Sequence, residues 1–426
     1  MDIRQTKEAS GYDCDAQDTL RTVISIDEAL ARIAAHVAPI VEASAIPLNR
    51  ALGRILAQPV RAQERAPSFD NAAMDGYAVA TTSLTDDGPW NLKVIARVPA
   101  GHETTQKLAG ACAARIFTGA PIPEGADAVV MQEEVARVGD TVEFHRRPAA
   151  GENIRRAGSD MERGAIILES GRRLGAREIA ACAAAGAAAV HVVRRLRVAL
   201  IVTGDEVRMA GGSRTAAQIW DVNTPMLAAA MDSMGVEIVA TVQGADNCAH
   251  LASQLDELTE QADLVVTTGG ISVGEEDHVI PALARLGGEM LFSRVAIKPG
   301  KPVSFGRMGS TFWLGLPGNP LSAYVTWHVF GRALVKALIG ETAHVSASRH
   351  VITNAPIRRK PGRVELRLAT LCGIDADGRE IIGFEAATHS GCVSRLPMAD
   401  GLMYLPAEVE YLPTGALVQF QPFCPV

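Results

Sequence analysis

The residues best suited by type and spacing to do chemistry lie in the run Leu264-Val265-Val266-Thr267-Thr268-Gly269-Gly270-Ile271-Ser272-Val273-Gly274-Glu275-Glu276-Asp277. A short β-branched apolar run reads as a buried strand, and the Gly-rich loop after it leads to a helix beginning near Asp277. This pattern can cradle phosphate. Gly269, Gly270 and Gly274 let backbone N–H groups approach an anion, Ser272 adds a hydroxyl, and the Asp277 carboxylate can hold a divalent cation. Standing alone, Gly-Gly after a strand is more often an ordinary tight turn. Three further segments repeat the grammar. Val198–Val202 runs into Thr203-Gly204-Asp205-Glu206, Val295–Ile297 into Lys298-Pro299-Gly300-Lys301-Pro302, and Phe312–Leu316 into Pro317-Gly318-Asn319-Pro320. As strands of one parallel sheet they would end on one edge, bringing Glu206 and Asp277 together for a cation and Lys298 and Lys301 for an anion.

Two loops earlier in the chain also stand out. Pro67–Val79 mixes Asp, Asn, Gly and apolar residues, and Phe69, Met74 and Tyr77 are placed to pin it so that Asp75 is presented rigidly; a plain surface loop with a turn at Asp75-Gly76 is the alternative. In Ile116–Gly125 two prolines and two glycines impose a rigid shape and leave Thr118 at a strand end.

The elements that must position these residues follow from periodicity. Ser25-Ile26-Asp27-Glu28 is a capping box opening a helix from Glu28 to about Val37, and Ile46–Val60 suggests a strand followed by a short helix over Leu52–Ala57. Residues 80–155 are strand-rich, as expected of a small all-β insert. A strand over Gly164–Leu168 and a helix over 176–185 follow, and Arg194-Arg195 marks a boundary. Residues 196–340 alternate strand and helix in the rhythm of a doubly wound domain: strand 198–202, helix 224–234, strand 236–242, helix 249–261, strand 263–267, and a last helix Pro320–Ile339. Alternating runs at Arg363–Leu368 and Gly401–Leu405 indicate a C-terminal β-barrel or small sheet.

The composition sets limits. A chain of 426 residues exceeds one compact domain, and about three or four are expected. A hydrophobic content of 48% allows sizeable cores, while a formal charge of −7 argues against a general nucleic-acid surface. Seven scattered cysteines without a C-x-x-C pair fit a reducing compartment and no structural zinc. The most apolar run, Ile179–Val193, contains His191 and falls short of the ~20 residues a membrane span needs. The first twenty residues are polar, read as disordered, and lack a signal-peptide core. A cytoplasmic protein without membrane or nucleic-acid partners is expected.

Taken in order, SFDNAAMDGYAV, RIFTGAPIPEGADAVVMQEE, NIRRAGSD, ALIVTGDEV, IWDVN, TTGGISVGEED, AIKPGKPVSFG and LGLPGNPLSA resemble the molybdopterin molybdenumtransferase family, the molybdenum insertases that include the C-terminal domain of gephyrin. The resemblance covers the chain from about residue 20 to its end. It implies a multidomain α/β fold: a tail to residue 20, a discontinuous mixed α/β domain (21–66 with 156–195), a β-rich insert (67–155), a central doubly wound molybdopterin-binding domain (196–342) and a C-terminal β-barrel (343–426).

The resemblance further implies that adenylated molybdopterin and molybdate are the substrates, that AMP and molybdenum cofactor are released, and that Mg²⁺ is required. Glu206, Asp246 and Asp277 would be its oxygen ligands. Thr203, Gly204 and the glycine-rich loop would hold the pterin nucleotide, and Pro317 and Pro320 would fix the backbone on either side of Gly318 beside Asn319. These prolines are equally compatible with a simple strand-to-helix connector. The oxyanion pocket would map to Lys298, Lys301, Ser322, Arg367 and Ser390, with Arg363 and Ser394 as rivals for the last two; Asp246 is alternatively a helix N-cap, and His389 has no visible acid partner. An elongated homodimer is implied, with Asp75 and Thr118 acting on the partner's site, and an adenylyltransferase and a cofactor acceptor as further partners. Two other readings stay open: a molybdopterin adenylyltransferase, which the domain with the GGISVGEED loop also resembles, and a non-catalytic scaffold on the same fold.

Overall fold

The computed structural model describes residues 22–232, 234–245, 247–271, 277–342, 348–385 and 390–423. The expectations for the tail 1–20 and for Asp246, Ser272, Gly274 and His389 fall outside the described residues. The chain divides into two compact units, Ser44–Val192 and the remainder.

In the unit Ser44–Val192 a six-stranded sheet runs in the order Ala128–Met131, Gly76–Val79, Cys112–Ile116, Trp90–Val98, Thr141–Phe144, Ala136–Val138. Side chains alternate across a strand, so each face gets its own core. Tyr77 and Val79 join Trp90 and Phe144 on one face, and Ala78 joins Val98, Ala114 and Ile116 on the other. Gly76 is required in the middle of this sheet, because a Cβ there would lie 2.0 Å from the Val130 carbonyl oxygen. A smaller core gathers Leu56, Leu174, Cys182 and Val192 beside the helix Ala176–Ala184.

The short helix expected over Leu52–Ala57 does not form. A single 3-10 turn occupies Leu48–Arg50, Gly53 takes φ +75°, and Ile55 and Leu56 bridge in extended backbone to Arg173 and Val192. Extended pairing buries both Ile55 and Leu56, whereas one helical turn would satisfy little of its own backbone.

The other unit opens with the helix Ile26–His36, whose cap Ser25 accepts from the Glu28 N–H at 3.1 Å. The Glu28 carboxylate turns to Arg32 at 2.6 Å rather than back to the cap. This helix packs on Arg332–Leu338, and Arg32 donates to the Leu291 carbonyl at 2.9 Å.

The central sheet has the order Val236–Gly244, Leu196–Thr203, Leu264–Thr268, Thr311–Leu316, Ser304–Met308, Glu289–Ser293. The first four strands are parallel, Ser304–Met308 runs against them, and Glu289–Ser293 closes that edge by pairing antiparallel with Ser304–Met308. Helices Asn223–Asp232, Cys248–Thr259 and Val279–Arg285 connect the strands, and Leu251, Leu255, Val265, Val279 and Trp313 pack in its core.

Two expectations for this unit are corrected. Val295–Ile297 is no strand of the central sheet: Ile297–Lys298 pairs in parallel with Val364–Glu365, and the Val364 N–H donates to the Ala296 carbonyl. The central-sheet strand Glu289–Ser293 ends at Arg294, which takes φ +68°, and the run beyond it pairs elsewhere: the Ala296 N–H donates to the Ile24 carbonyl at 2.8 Å before the chain meets Val364. The last helix is also not one uniform helix. Pro320–Thr326 passes through a wider π turn at Trp327–Gly331 before Arg332–Leu338, and a Cβ on Gly331 would stand 2.1 Å from the Trp327 ring.

The C-terminal domain is a closed barrel. Strands Arg349–Thr353, Val364–Ile374, Glu380–Phe384, Gly401–Leu405 and Leu417–Pro422 form the ring, closed by the pairing of Val364–Ile374 with Gly401–Leu405. Ala369, Met403, Leu405, Val418 and Phe420 fill it. No helix among the described residues is long and apolar enough to cross a membrane.

One carboxylate braces the base of the central sheet. Asp263 accepts from the Arg194 guanidinium at 2.7 and 3.0 Å, from the Arg197 guanidinium at 2.8 Å and from the Arg197 N–H at 2.9 Å. Burial by itself would raise its pKa, but the hydrogen bonds from Arg194 and Arg197 outweigh burial and bring it to about 2. Because the folded-state value lies below the unfolded one, this carboxylate stabilises the fold above pH ~4 and the contribution is lost as pH falls toward 2. Asp263→Asn should therefore lower stability at pH 7 by about 2 kcal/mol and flatten the acid limb of a denaturant-unfolding series. An unchanged acid limb would remove Asp263 from that role.

Candidate active site

Three parallel strand ends converge on one cleft of about 560 Å³. Strand Leu196–Thr203 delivers Thr203, Gly204 and Glu206, strand Leu264–Thr268 delivers Gly269 and Gly270, and strand Thr311–Leu316 delivers Pro317, Gly318, Asn319 and Pro320. Asp277 lines the same cleft, so the carboxylates expected to converge do so.

Two close approaches explain the glycines. Gly269 sits at φ +86°, and a Cβ there would fall 2.7 Å from Thr203 Oγ1, whose hydroxyl donates to the Thr268 carbonyl at 3.2 Å. A Cβ on Gly318 would lie 3.4 Å from the Gly269 Cα, in ordinary contact, so the two loop backbones run close to each other. A side chain at Gly269 would push the cradle open.

The cleft also contains residues that the strand-end motifs do not single out. Asn223 donates through Nδ2 to the Gly318 carbonyl at 2.8 Å, and Asp221 accepts from the Thr224 N–H at 3.0 Å. Both come from the IWDVN stretch, whose spacing alone assigns them no task. Asn223 Oδ1 and Thr268 Oγ1 are buried in the cleft wall without a hydrogen-bond partner among the described residues. Buried polar atoms are nearly always paired, so these two point to a polar ligand.

The basic residues lie beside the cleft rather than in it. Pro302 lines the cleft, and the loop leading to it, Lys298–Lys301, seats Gly300 at φ +108° against Thr326, where a Cβ would meet Thr326 Cγ2 at 2.3 Å. Lys298 then reaches the barrel, its Nζ 3.4 Å from Glu365 Oε1. Glu365 is buried and also accepts from Arg367 at 2.9 Å and from Arg359 at 3.2 Å. Burial would raise the Glu365 pKa, but Arg367 and Lys298 hold it below the usual carboxylate range.

Glu365 and Arg359 were not among the expected site residues. The signal for Glu365 was its i, i+2 spacing from Arg367, which puts both on one strand face. Of the two arginine candidates, Arg367 is buried beside Lys298, whereas the exposed Arg363 receives Arg359 on its carbonyl. Ser390 stands near the LPGNP loop, its carbonyl accepting from the Leu321 N–H at 3.1 Å. Ser394 instead lies 3.7 Å from the Cys392 sulfur. Ser322 is buried in the helix Pro320–Thr326, its carbonyl accepting from the Thr326 hydroxyl at 2.7 Å. Lys301 is exposed.

In the unit Ser44–Val192, Asp75 Oδ1 accepts from the Thr118 N–H at 2.7 Å and the Thr118 hydroxyl at 2.9 Å. These bonds, the backbone one foremost, lower the Asp75 pKa. The expected pins differ, since Phe69 and Met74 are exposed and only Tyr77 is buried. Thr118, not an apolar clamp, fixes Asp75.

Among the described residues no group of three or more His, Cys, Asp or Glu is placed to hold a metal by itself. Asn247 caps the helix Cys248–Thr259, its side chain accepting from the Ala249 and His250 N–H groups.

Comparison with known proteins finds three family matches in order along the chain. Residues 24–186 match the MoeA N-terminal region (domains I and II), 199–337 a probable molybdopterin binding domain, and 350–423 the MoeA C-terminal region (domain IV). The molybdopterin molybdenumtransferase of Haemophilus influenzae is 32% identical over 410 residues, covering 94% of this chain and 99% of that protein. The chain belongs to the molybdopterin molybdenumtransferase family. A second relative, molybdopterin molybdenumtransferase 2 of Mycobacterium tuberculosis, is 34% identical over 88% of this chain and 93% of its own length. A solved molybdopterin biosynthesis moeA protein from Pyrococcus horikoshii superposes with a TM-score of 0.80 at 25% identity, covering 94% of this chain and 99% of that one. As a member of the molybdopterin molybdenumtransferase family, the chain is a transferase of molybdenum cofactor biosynthesis.

Proposed function

We propose that this transferase takes adenylated molybdopterin and molybdate, places the metal on the pterin dithiolene, and releases AMP. The observation that carries this reading is the course of the Lys298–Pro302 loop: Pro302 lines the cleft while Lys298 joins Arg367 around Glu365, so a basic oxyanion pocket adjoins a phosphate-type cradle. The nucleotide end lies at Thr203, Gly204, Gly269 and Gly270, with Ser272 and Gly274, next in sequence, as further ligands. Pro317, Gly318, Asn319 and Pro320 shape the opposite wall. Molybdate, a tetrahedral dianion, is held by Lys298, Lys301 and Arg367 with hydroxyls from Ser322 and Ser390. This places the oxyanion beside the dithiolene, so that much of the rate gain comes from proximity.

The donor set of the cleft fits magnesium. Glu206, Asp221 and Asp277 make the lining acidic, which repels a diphosphate unless a cation intervenes, and carboxylate oxygens are the ligands a hard cation takes. Glu206 and Asp277, with Asp246, would hold it. When bound, magnesium neutralises phosphate oxygens and eases departure of AMP. Asp277→Asn should raise the magnesium needed for half-maximal AMP release about tenfold or more. Equal magnesium curves for variant and parent would remove Asp277 from the metal site.

The domain boundaries set out from the sequence, the cytoplasmic location and the homodimer belong to the same proposal. In it Asp75 and Thr118 complete the site of a second copy, and an adenylyltransferase supplies the substrate while a cofactor acceptor takes the product. Formation of AMP from adenylated molybdopterin only when molybdate is present tests the reading; AMP release indifferent to molybdate contradicts it.

A further inference from the structure

Of the IWDVN stretch, Asp221 and Asn223 brace backbone, Ile219 and Val222 add aliphatic surface to the cleft, and Trp220 adds an aromatic ring. Trp220 lines the cleft and is 38% exposed, whereas Trp90, Trp313 and Trp327 are 8%, 0% and 1% exposed. These four are all the tryptophans of the chain. An indole left part-exposed at a polar cleft forgoes the apolar burial that the other three obtain, and its ring is open to a planar partner.

The surroundings hold the ring in place. Ile219–Trp220 pairs in parallel with Val207–Arg208, and the Ile219 N–H donates to the Glu206 carbonyl at 2.8 Å. The indole is therefore tied to the same turn that presents the Glu206 carboxylate. Arg214 lies 5.1 Å from the ring centroid, its guanidinium fixed by a 2.7 Å bond to the Gln218 carbonyl. A cation on one face of an indole leaves the other face for a planar ring.

We propose that Trp220 is the stacking platform for a fused-ring nitrogen heterocycle of the substrate, carried next to the phosphates that the neighbouring turn receives. This rests on the reading of the cleft as the place of adenylated molybdopterin, whose two ends, adenine and pterin, share that chemistry. Base–aromatic stacking tolerates either ring and weakens binding about tenfold when the aromatic is removed.

Because Trp220 is the accessible indole, the full-length protein reports on itself. AMP and neopterin are titrated separately, with tryptophan emission and calorimetry followed on the parent, Trp220→Ala and Trp220→Phe. The proposal expects one of the two probes to quench emission saturably, Trp220→Ala to lose the quench and bind about tenfold more weakly, and Trp220→Phe to lose the quench while keeping most of the affinity. Quenching by AMP assigns the platform to adenine, and quenching by neopterin assigns it to the pterin. Equal calorimetric affinity in the parent and Trp220→Ala, or quenching that survives in Trp220→Ala, overturns the stacking role while the cleft reading stands. No binding of either probe to the parent overturns both.

Discussion

Replacing Lys298 and Lys301 together by Ala is expected to raise the molybdate concentration needed for half-maximal turnover by about a hundredfold or more, since each charge-assisted hydrogen bond lost is worth roughly 1.5–3 kcal/mol. The maximal rate at saturating molybdate should change far less, because of that loop only Pro302, and neither lysine, lines the cleft that receives the nucleotide. The geometry gives the single variants different weights. Lys298 is already drawn to the buried Glu365, so its loss also alters the pairing of Arg367 and Arg359 with that carboxylate. Lys301 is exposed, and its loss should affect the oxyanion alone. Molybdate titrations of both single variants and the double variant separate these effects; an unaltered molybdate dependence in the double variant would remove the loop from the oxyanion pocket.

Replacing Glu365 by Ala should have the largest effect on stability. The carboxylate, Arg359 and Arg367 are nearly fully buried, with side-chain exposures of 5%, 3% and 4%. Removing the anion leaves two guanidinium groups without their counter-charge, and breaking such a buried pair costs about 3–5 kcal/mol. Denaturant unfolding of the variant reads this directly. The pH dependence has a definite sign: the folded-state pKa of Glu365 is depressed, so its contribution is present above the ordinary carboxylate range and fades as pH falls through the lowered value. A Glu365→Ala protein as stable as the parent at pH 7 would show that the arginines find other partners.

The parts of the fold legible in the sequence were those specified locally. Ser25 as cap, the β-branched run Leu264–Thr268, the βαβ rhythm after Leu196 and the alternation in Gly401–Leu405 each follow from periods and caps that neighbouring residues set. The cleft was legible for the same reason, because Thr203, Gly204, Glu206, Gly269, Gly270 and the PGNP turn each sit at the end of a recognisable strand.

What escaped depends on partners distant in the chain. Ile297–Lys298 looks like a strand end of the central sheet, yet its pairing partner is Val364–Glu365, and no local pattern announces that. The π turn at Trp327–Gly331 is hidden because this stretch is buried all round, so it has no polar face against which an extra residue would show as a phase slip. Ile55 and Leu56 pair across to Arg173 and Val192, contacts that a reading of short-range propensity cannot foresee. Glu365 was passed over as one half of an ordinary alternation, and its importance appears only when Arg359, Arg367 and Lys298 are seen to meet on it.

The most direct measurement follows AMP release from adenylated molybdopterin with magnesium while molybdate is titrated, with ATP consumption recorded in parallel. Saturable, molybdate-dependent AMP release without ATP turnover is the result this account predicts. ATP turnover with pyrophosphate release would transfer the chain to adenylyl transfer, and an absence of both reactions would leave a binding protein on the same fold; either contradicts it.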